Sequence, residues 1–339
     1  MSIAASATER GAEQAGDQSV PAAPAKRRIA VLAGGIGGAR FLRGVRAACP
    51  DAEITAIVNT GDDVTLHGLR ICPDLDSVMY TLGGVHDSER GWGRTGETWR
   101  IKDELTAYGA EPSWFGLGDL DTATHLVRTR MLDAGYSLTD VTAALCARWQ
   151  PGVTLVPMSD DRVETHVVVD LDDRRRAIHF QEWWVKYRAA LPAESFVQVG
   201  VDDADPAPAA IAALSAADAI LIAPSNPVVS IGTILGVRGI REAVAASTAP
   251  VIGVSPIIGG APVRGMADAC LAVIGVEVSA EGVGRHYGAR SEGGLLDGWL
   301  VAEDDTASVP GVEVRRIPLL MTDDDASSAM VRAALELVR

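Results

Sequence analysis

Residues 28–33 (RIAVLA) form an apolar run with β-branched residues, and it passes directly into Gly34-Gly35-Ile36-Gly37-Gly38. A stretch with helical spacing follows, in which Phe41, Leu42 and Val45 share one face. A buried parallel strand that turns through glycines into a helix is a strong constraint on topology, because the chain must then cross over to reach the next parallel strand. Residues 53–59 (EITAIVN) supply that strand, ending in Thr60-Gly61-Asp62-Asp63 and completing a β-turn-α-β unit. The grammar recurs at 218–224 (DAILIAP), which runs into Ser225-Asn226-Pro227, and at 250–255 (PVIGVS), which runs into Pro256-Ile257-Ile258-Gly259-Gly260. In an open parallel sheet such strand ends share one edge, where ligands bind.

The middle of the chain reads differently. Residues 97–108 and 121–148 have helical patterns, while 163–170 and 176–182 alternate around Asp172-Asp173-Arg174-Arg175 as an antiparallel hairpin does. The expected architecture is α/β: a Rossmann-like three-layer α/β/α core of parallel strands with an inserted helical and β-hairpin region at about 86–200. Residues 1–27 are rich in Ala, Ser, Gly and Gln without an apolar stretch, and read as a flexible tail ahead of a single domain over 28–339.

Charge and cysteine content narrow the function classes. The 45 acidic side chains outnumber the 30 basic ones, for a formal charge of −15. Such a surface repels phosphate backbones at long range, so a nucleic-acid polymer is not an expected partner. No apolar run reaches the roughly 20 residues of a membrane span, and no membrane partner is expected. The four cysteines are scattered without a CxxC pair. They suit a reducing cytoplasm better than a disulfide framework or a structural zinc site.

Small anions remain open. Gly34, Gly35, Gly37 and Gly38 allow close backbone approach to a phosphate, and a helix N-terminus directs free N–H groups at it. No Gly-Lys-Ser/Thr closes the loop, and Arg40 stands where a dinucleotide fingerprint has its third glycine. Arg40 would add a charge-assisted contact. The bland alternative is a tight strand–helix turn with no ligand. Asp62 and Asp63, followed by Asp74-Leu75-Asp76, suit a hard cation such as Mg²⁺, although a solvated acidic loop has the same appearance. Asp74 lies at or near a helix N-cap, and Asp121 is a second cap candidate. His125 reads as a structural histidine. Trp183-Trp184 reads as core or lid packing, with stacking on a flat ring as the alternative. No nucleophile–base arrangement is recognisable.

The segments AGGIGGARFL (33–42), VNTGDD (58–63), CPDLDSVMYTLGG (72–84), GWG (91–93), ATHLVR (123–128), PMSDD (157–161), HFQEWWV (179–185), APSNPVVSIG (223–232) and SPIIGGAPVRGMA (255–267), in this order, resemble the CofD/FbiA family. The resemblance covers nearly the whole chain from about residue 28. It implies a Mg²⁺-dependent transferase of coenzyme F-420 biosynthesis. Such an enzyme moves a phosphoenolpyruvyl or 2-phospho-L-lactyl group from a guanosine diphosphate donor to the deazaflavin Fo and releases GMP. The GWG and HFQEWWV wording is most similar to the actinobacterial branch, which implies the enolpyruvyl donor. By motif, Asp76 matches the Fo-binding aspartate, and Asp62 with Asp76 match the metal-holding positions. The proton acceptor is then Asp76 or Asp63. Ser225, Asn226 and the turn beginning at Ser255 are candidates for nucleotide contacts, being expected on the same sheet edge. Where the family often has Arg in Gly-Asp-x-Asp, this chain has Leu120, so that contact is either missing here or supplied by Arg128 or Arg94. A homodimer is one assembly open to the chain. The rival readings are a nicotinamide-dependent oxidoreductase, which predicts a complete glycine fingerprint, and a nucleotide-binding protein without catalysis.

Overall fold

The computed structural model describes residues 25–337. The expectation for the N-terminal segment lies, but for residues 25–27, outside them. The chain opens with β1 (Arg28–Ala33), α1 (Gly35–Ala48) and β2 (Glu53–Val58). The short ribbon β3 (Val64–Leu66) and β4 (Leu69–Ile71) comes next, followed by α2 (Pro73–Leu82). Helices α3 (Arg100–Ala107), α4 (Asp119–Asp133) and α5 (Leu138–Trp149) lead to β5 (Thr154–Pro157). Strands β6 (Glu164–Leu171), β7 (Arg174–His179) and β8 (Ala193–Val199) form a separate antiparallel sheet in the order β7-β6-β8. Then come α6 (Pro208–Ala216), β9 (Ala219–Ile222), α7 (Ile231–Gly236), α8 (Ile240–Ala246) and β10 (Val251–Val254). The chain ends with the small hairpin β11 (Ile257–Ile258) and β12 (Ala261–Pro262), α9 (Ala267–Val273), α10 (Ala280–Tyr287), β13 (Gly298–Ala302), β14 (Glu313–Ile317) and α11 (Asp324–Leu337).

The central sheet has seven strands in the order β14-β13-β10-β9-β1-β2-β5, and every pairing is parallel. Alternation along β1 splits the core into two layers. Ile29, Val31 and Ala33 face a cluster with Phe41 and Leu42 of α1, Val78 of α2 and Val331 of α11. Ala30 and Leu32 face Leu214 of α6, Ile234 of α7 and Val283 of α10. The inner strands β1, β9, β10 and β13 are buried on both faces, which explains why they read as unbroken apolar runs. The three-layer α/β/α class expected from sequence is the one observed.

Some elements differ from the sequence reading. The span 121–148 is two helices, because Gly135 (φ 87°) ends the first and the Ser137 hydroxyl caps the second by accepting from the Asp140 N–H. Asp121 is not a cap: Gly118 holds the N-cap position of α4. Strand β5 lies within 86–200 yet joins the central sheet beside β2. The hairpin turn at Asp172-Asp173 has both residues at positive φ (54° and 57°), as a two-residue turn between twisted strands requires. Among the described residues no helix is long and apolar enough to cross a membrane.

Chain order reverses on either side of β1: β2 follows on one flank, and β9 returns on the other. The loops after β1 and β9 therefore diverge, leaving a crevice at the carboxyl ends of the strands.

Candidate active site

That crevice opens into a cavity of about 1240 Å³. Its floor is the pair of turns after β1 and β9. The Gly34 N–H donates to Ser225 Oγ (3.0 Å), and the Ser225 hydroxyl donates to the Gly34 carbonyl (2.7 Å). Gly35 sits at φ 58°, a left-handed conformation that favours glycine. A Cβ on Gly37 would come within 2.9 Å of the Pro224 carbonyl oxygen, so this glycine lets α1 lie against the β9 turn. The loop is thus partly a packing device. The Gly35 N–H lies toward the Asp74 carboxylate and favours its charged form. Among the described residues, the amides of Ile36 and Gly37 keep no partner in the first turn of α1.

The acidic residues separate into three environments. Asp74 lies at the second position of α2 and is buried; it accepts from Asn59 Nδ2 (2.9 Å) instead of capping its own helix. Asp62 is buried beside it, and its Oδ1 has no hydrogen-bond partner. Burial and the mutual repulsion of Asp62 and Asp74 push the Asp62 carboxyl well above the ordinary carboxylate range; Asp74 is raised to about 6, chiefly by burial. Asp63, by contrast, is turned away from the cavity. It is fully buried and paired with Arg70 (3.0 Å), and burial raises it to about 6. As a candidate proton acceptor it has no access to a substrate.

Asp76 lies one turn into α2, and its Oδ1 forms an ion pair with the buried Arg128 of α4. Arg128 Nη1 also donates to His125 Nδ1 (3.0 Å). A guanidinium has no lone pair to offer, so Nδ1 is the acceptor and Nε2 carries the proton of neutral His125. Nε2 faces Asp121 Oδ2 at 3.5 Å, and the Tyr80 hydroxyl donates to Asp121 Oδ1 (2.7 Å). Asp76, Asp121 and His125 each have a ligand atom within 4.8 Å of the others. The Arg128 guanidinium in the same cluster repels a cation there. What remains open is Asp76 Oδ2, which is buried and without a partner. Asp62 and Asp76, the two residues expected to hold a metal, thus line one cavity and each keep a bare carboxylate oxygen. Bare carboxylate oxygens are the kind of ligand a hard divalent cation takes.

Strands β6 and β7 fix the acidic turn from above. The Thr165 N–H donates to the Gly61 carbonyl (2.7 Å), and His179 Nε2 to the Asp63 carbonyl (3.1 Å), while His179 Nδ1 accepts from the Gln181 N–H (3.0 Å). The insert is therefore part of the site.

Aromatic side chains share the cavity lining with the acids. Trp92, Trp99, Trp114, Phe115, Tyr80 and Trp184 all line the cavity. The tryptophan pair is divided: Trp183 is core, with its indole N–H on the Leu191 carbonyl (2.8 Å), and Trp184 looks into the cavity.

Three expected nucleotide contacts line the cavity, but their polar atoms are engaged within the chain. Ser225 is bound to Gly34 as above. Asn226 Oδ1 accepts from the Val228 and Val229 N–H groups (2.9 and 3.2 Å). Ser255 Oγ accepts from the Ile257 N–H (3.1 Å), and its hydroxyl donates to the Ile257 carbonyl (2.9 Å). Neither Arg94 nor Arg128 lines the cavity. Arg94 donates to the Leu120 carbonyl (2.9 Å) and stacks on Trp149, so neither arginine supplies the contact left open by Leu120. Arg40 does line the cavity, along with Arg90 and Arg264.

The family model described as 2-phospho-L-lactate transferase CofD matches residues 29–316. A phosphoenolpyruvate transferase of Nocardia farcinica is 64% identical over 313 residues, covering 91% of this chain and 94% of that one. Phosphoenolpyruvate transferases of Streptomyces griseus and Mycobacterium avium are 62% and 60% identical, each covering 91% of this chain and 98% of its own. Among solved structures, protein BH3568 of Bacillus halodurans superposes with a TM-score of 0.59 at 19% identity, over 92% of this chain and all of that one, a likeness of fold alone.

Proposed function

This chain belongs to the 2-phospho-L-lactate transferase family CofD, and from that premise we propose that it transfers a phosphoenolpyruvyl group from a guanosine diphosphate donor to the deazaflavin Fo, releasing GMP and giving dehydro coenzyme F-420-0. The carrying observation is the cavity of about 1240 Å³, whose lining combines carboxylates with several aromatic rings. It exceeds the roughly 300–1,000 Å³ usual for one small ligand, so there is room for nucleotide and acceptor together. The aromatic rings suit a flat tricyclic ring, and the carboxylates suit a metal-bound diphosphate. The names of the relatives favour the enolpyruvyl over the lactyl donor.

Phosphoryl transfer asks the protein mainly for positioning and charge neutralisation. Asp62 and Asp76 would hold Mg²⁺, which when bound neutralises diphosphate charge. The aromatic rings orient Fo so that its terminal ribityl hydroxyl faces the phosphorus that carries the three-carbon acid. The new bond forms from that oxygen to phosphorus as the phosphorus–oxygen bond to GMP breaks. The hydroxyl proton passes to a carboxylate; Asp76 has one open oxygen, Oδ2, because Arg128 pins Oδ1, so it would take the proton only in exchange for its hold on the cation. Arg128, His125, Asp121 and Tyr80 support that carboxylate from beneath. The first α1 amides, at Ile36 and Gly37, are available to the donor's phosphates.

The test is product mass after incubation of the purified protein with Fo, Mg²⁺ and either guanosine donor. Dehydro coenzyme F-420-0 together with GMP is the expected outcome. The lactyl product alone would reverse the donor assignment, and no product from either donor would overturn the reading.

A further inference from the structure

The cavity lining also carries basic groups. Arg40 projects from the second turn of α1, and Arg264 from the loop after β12; both line the cavity. Arg264 lies over the 90–93 loop, where a Cβ on Gly91 would stand 3.4 Å from its Nη1. Partial burial, and then repulsion from Arg264 and Arg43, hold Arg40 below its ordinary value. Arg90 adds a third charge but is neutralised by Asp87 (2.9 Å). Among the described residues Arg40 and Arg264 form no ion pair.

That arrangement is unusual for this chain. With 15 more acids than bases, carboxylates are plentiful, yet two adjacent arginines are left uncompensated in a cavity. Their repulsion is relieved only when an anion enters between them. Guanidiniums match carboxylates bidentately, in a geometry that lysine does not reproduce. The donor in the transferase reading carries two anionic groups. Its diphosphate can be neutralised at Asp62 and Asp76 through the cation; its carboxylate needs fixed positive charge from the protein itself.

We propose that Arg264, together with Arg40, forms the subsite that grips the carboxylate of the donor's three-carbon acid, and so distinguishes the donor from a plain guanosine diphosphate. The inference rests on the transferase reading for the identity of the ligand, and on the arginine pair for its place. Arg264 sits between Gly259-Gly260 and Gly265, all at positive φ with open space around them, so the side chain is carried on a tip that can settle over a bound acid.

The experiment uses the full chain with Arg264→Gln and Arg264→Lys, measuring KM for the donor and for Fo in Mg²⁺, and Kd for GDP by calorimetry. Arg264→Gln is expected to raise the donor KM about tenfold or more, with GDP affinity and the Fo KM within about twofold of wild type, as for a lost charge-assisted contact of about 1.4 kcal/mol. Arg264→Lys should recover part of the loss. An unchanged donor KM would overturn the proposal. GDP weakened by the same factor as the donor would also overturn it, by assigning the pair to nucleotide phosphate. If the wild type transfers nothing, the transferase reading fails by itself, and binding of phosphoenolpyruvate in EDTA then decides the subsite. Weakening of that binding about tenfold by Arg264→Gln sustains an anion site at the pair; equal binding, or none to either protein, removes it.

Discussion

Asp62 embodies an electrostatic conflict that the fold does not resolve by itself. Its Oδ1 is buried without a partner, and Asp74 repels it. The raised carboxyl means that the folded protein keeps a proton which the unfolded chain releases near pH 4. Stability from this group is therefore present at low pH and lost as pH rises toward the folded pKa. Asp62→Asn removes the buried charge, so in EDTA at pH 7.5 the variant should melt about 2–4 °C above wild type, with the difference closing as the pH is lowered and Asp62 takes up its proton. Mg²⁺ should raise the wild-type melting temperature and leave the variant's unchanged, and transfer should fall by at least about a hundredfold. A variant less stable than wild type in EDTA at pH 7.5 would mean that the fold compensates the Asp62 charge. At this scale the sequence was informative about acids that follow strands, Asp62 and Asp76, because strand ends converge on one edge. It was silent on how neighbours divide them. Asp63 adjoins Asp62 but goes to Arg70, while Asp76 owes its orientation to Arg128, which is 52 positions away. Such pairings depend on how α4 lies across α2, and no local pattern encodes that.

Glycine in α1 acts in two different ways along one helix. Gly37 brings the helix against the β9 turn and shapes the site, whereas Gly44 faces α11, where an added Cβ would meet the Ser327 backbone at 2.6 Å. That clash is with backbone, so one element must shift, at a cost of about 1–3 kcal/mol. Gly44→Ala should therefore lower the melting temperature clearly while leaving KM for both substrates near wild type. A raised KM would show that the α1–α11 contact is transmitted to the glycine turn. Elements with continuous apolar runs (β1, β2, β9, β10) were legible because burial on both faces leaves no polar positions. Strand β14 (EVRRI) was not, since an edge strand half open to water looks like a charged loop. β5 is four residues long and lies inside what reads as an insert. The split between α4 and α5 was encoded at Gly135 and Ser137, but the apolar periodicity on either side outweighed those two punctuating residues.

Across the whole molecule, a charge of −15 works against two anionic groups on one substrate, so long-range attraction cannot gather the donor. Under the proposed function, binding would come from local charge: a cation at Asp62 and Asp76, the Ile36 and Gly37 amides, and Arg40 with Arg264. The cation has the largest charge of these and offsets carboxylates that would otherwise repel the diphosphate at contact range. Fo carries no phosphate and, under the same proposal, would meet mainly Trp92, Trp99, Trp114, Phe115 and Trp184 of the cavity lining, where stacking and burial do not depend on charge. The two ligands should therefore respond differently to metal removal. In calorimetric titrations, EDTA should weaken the donor at least about a hundredfold and change Fo affinity by no more than about threefold. A donor indifferent to EDTA would shift the burden to the arginines and the α1 amides. Loss of Fo binding in EDTA would place its ribityl hydroxyls on the ion, making the metal a shared anchor that brings hydroxyl and phosphorus together instead of a neutraliser of the donor alone.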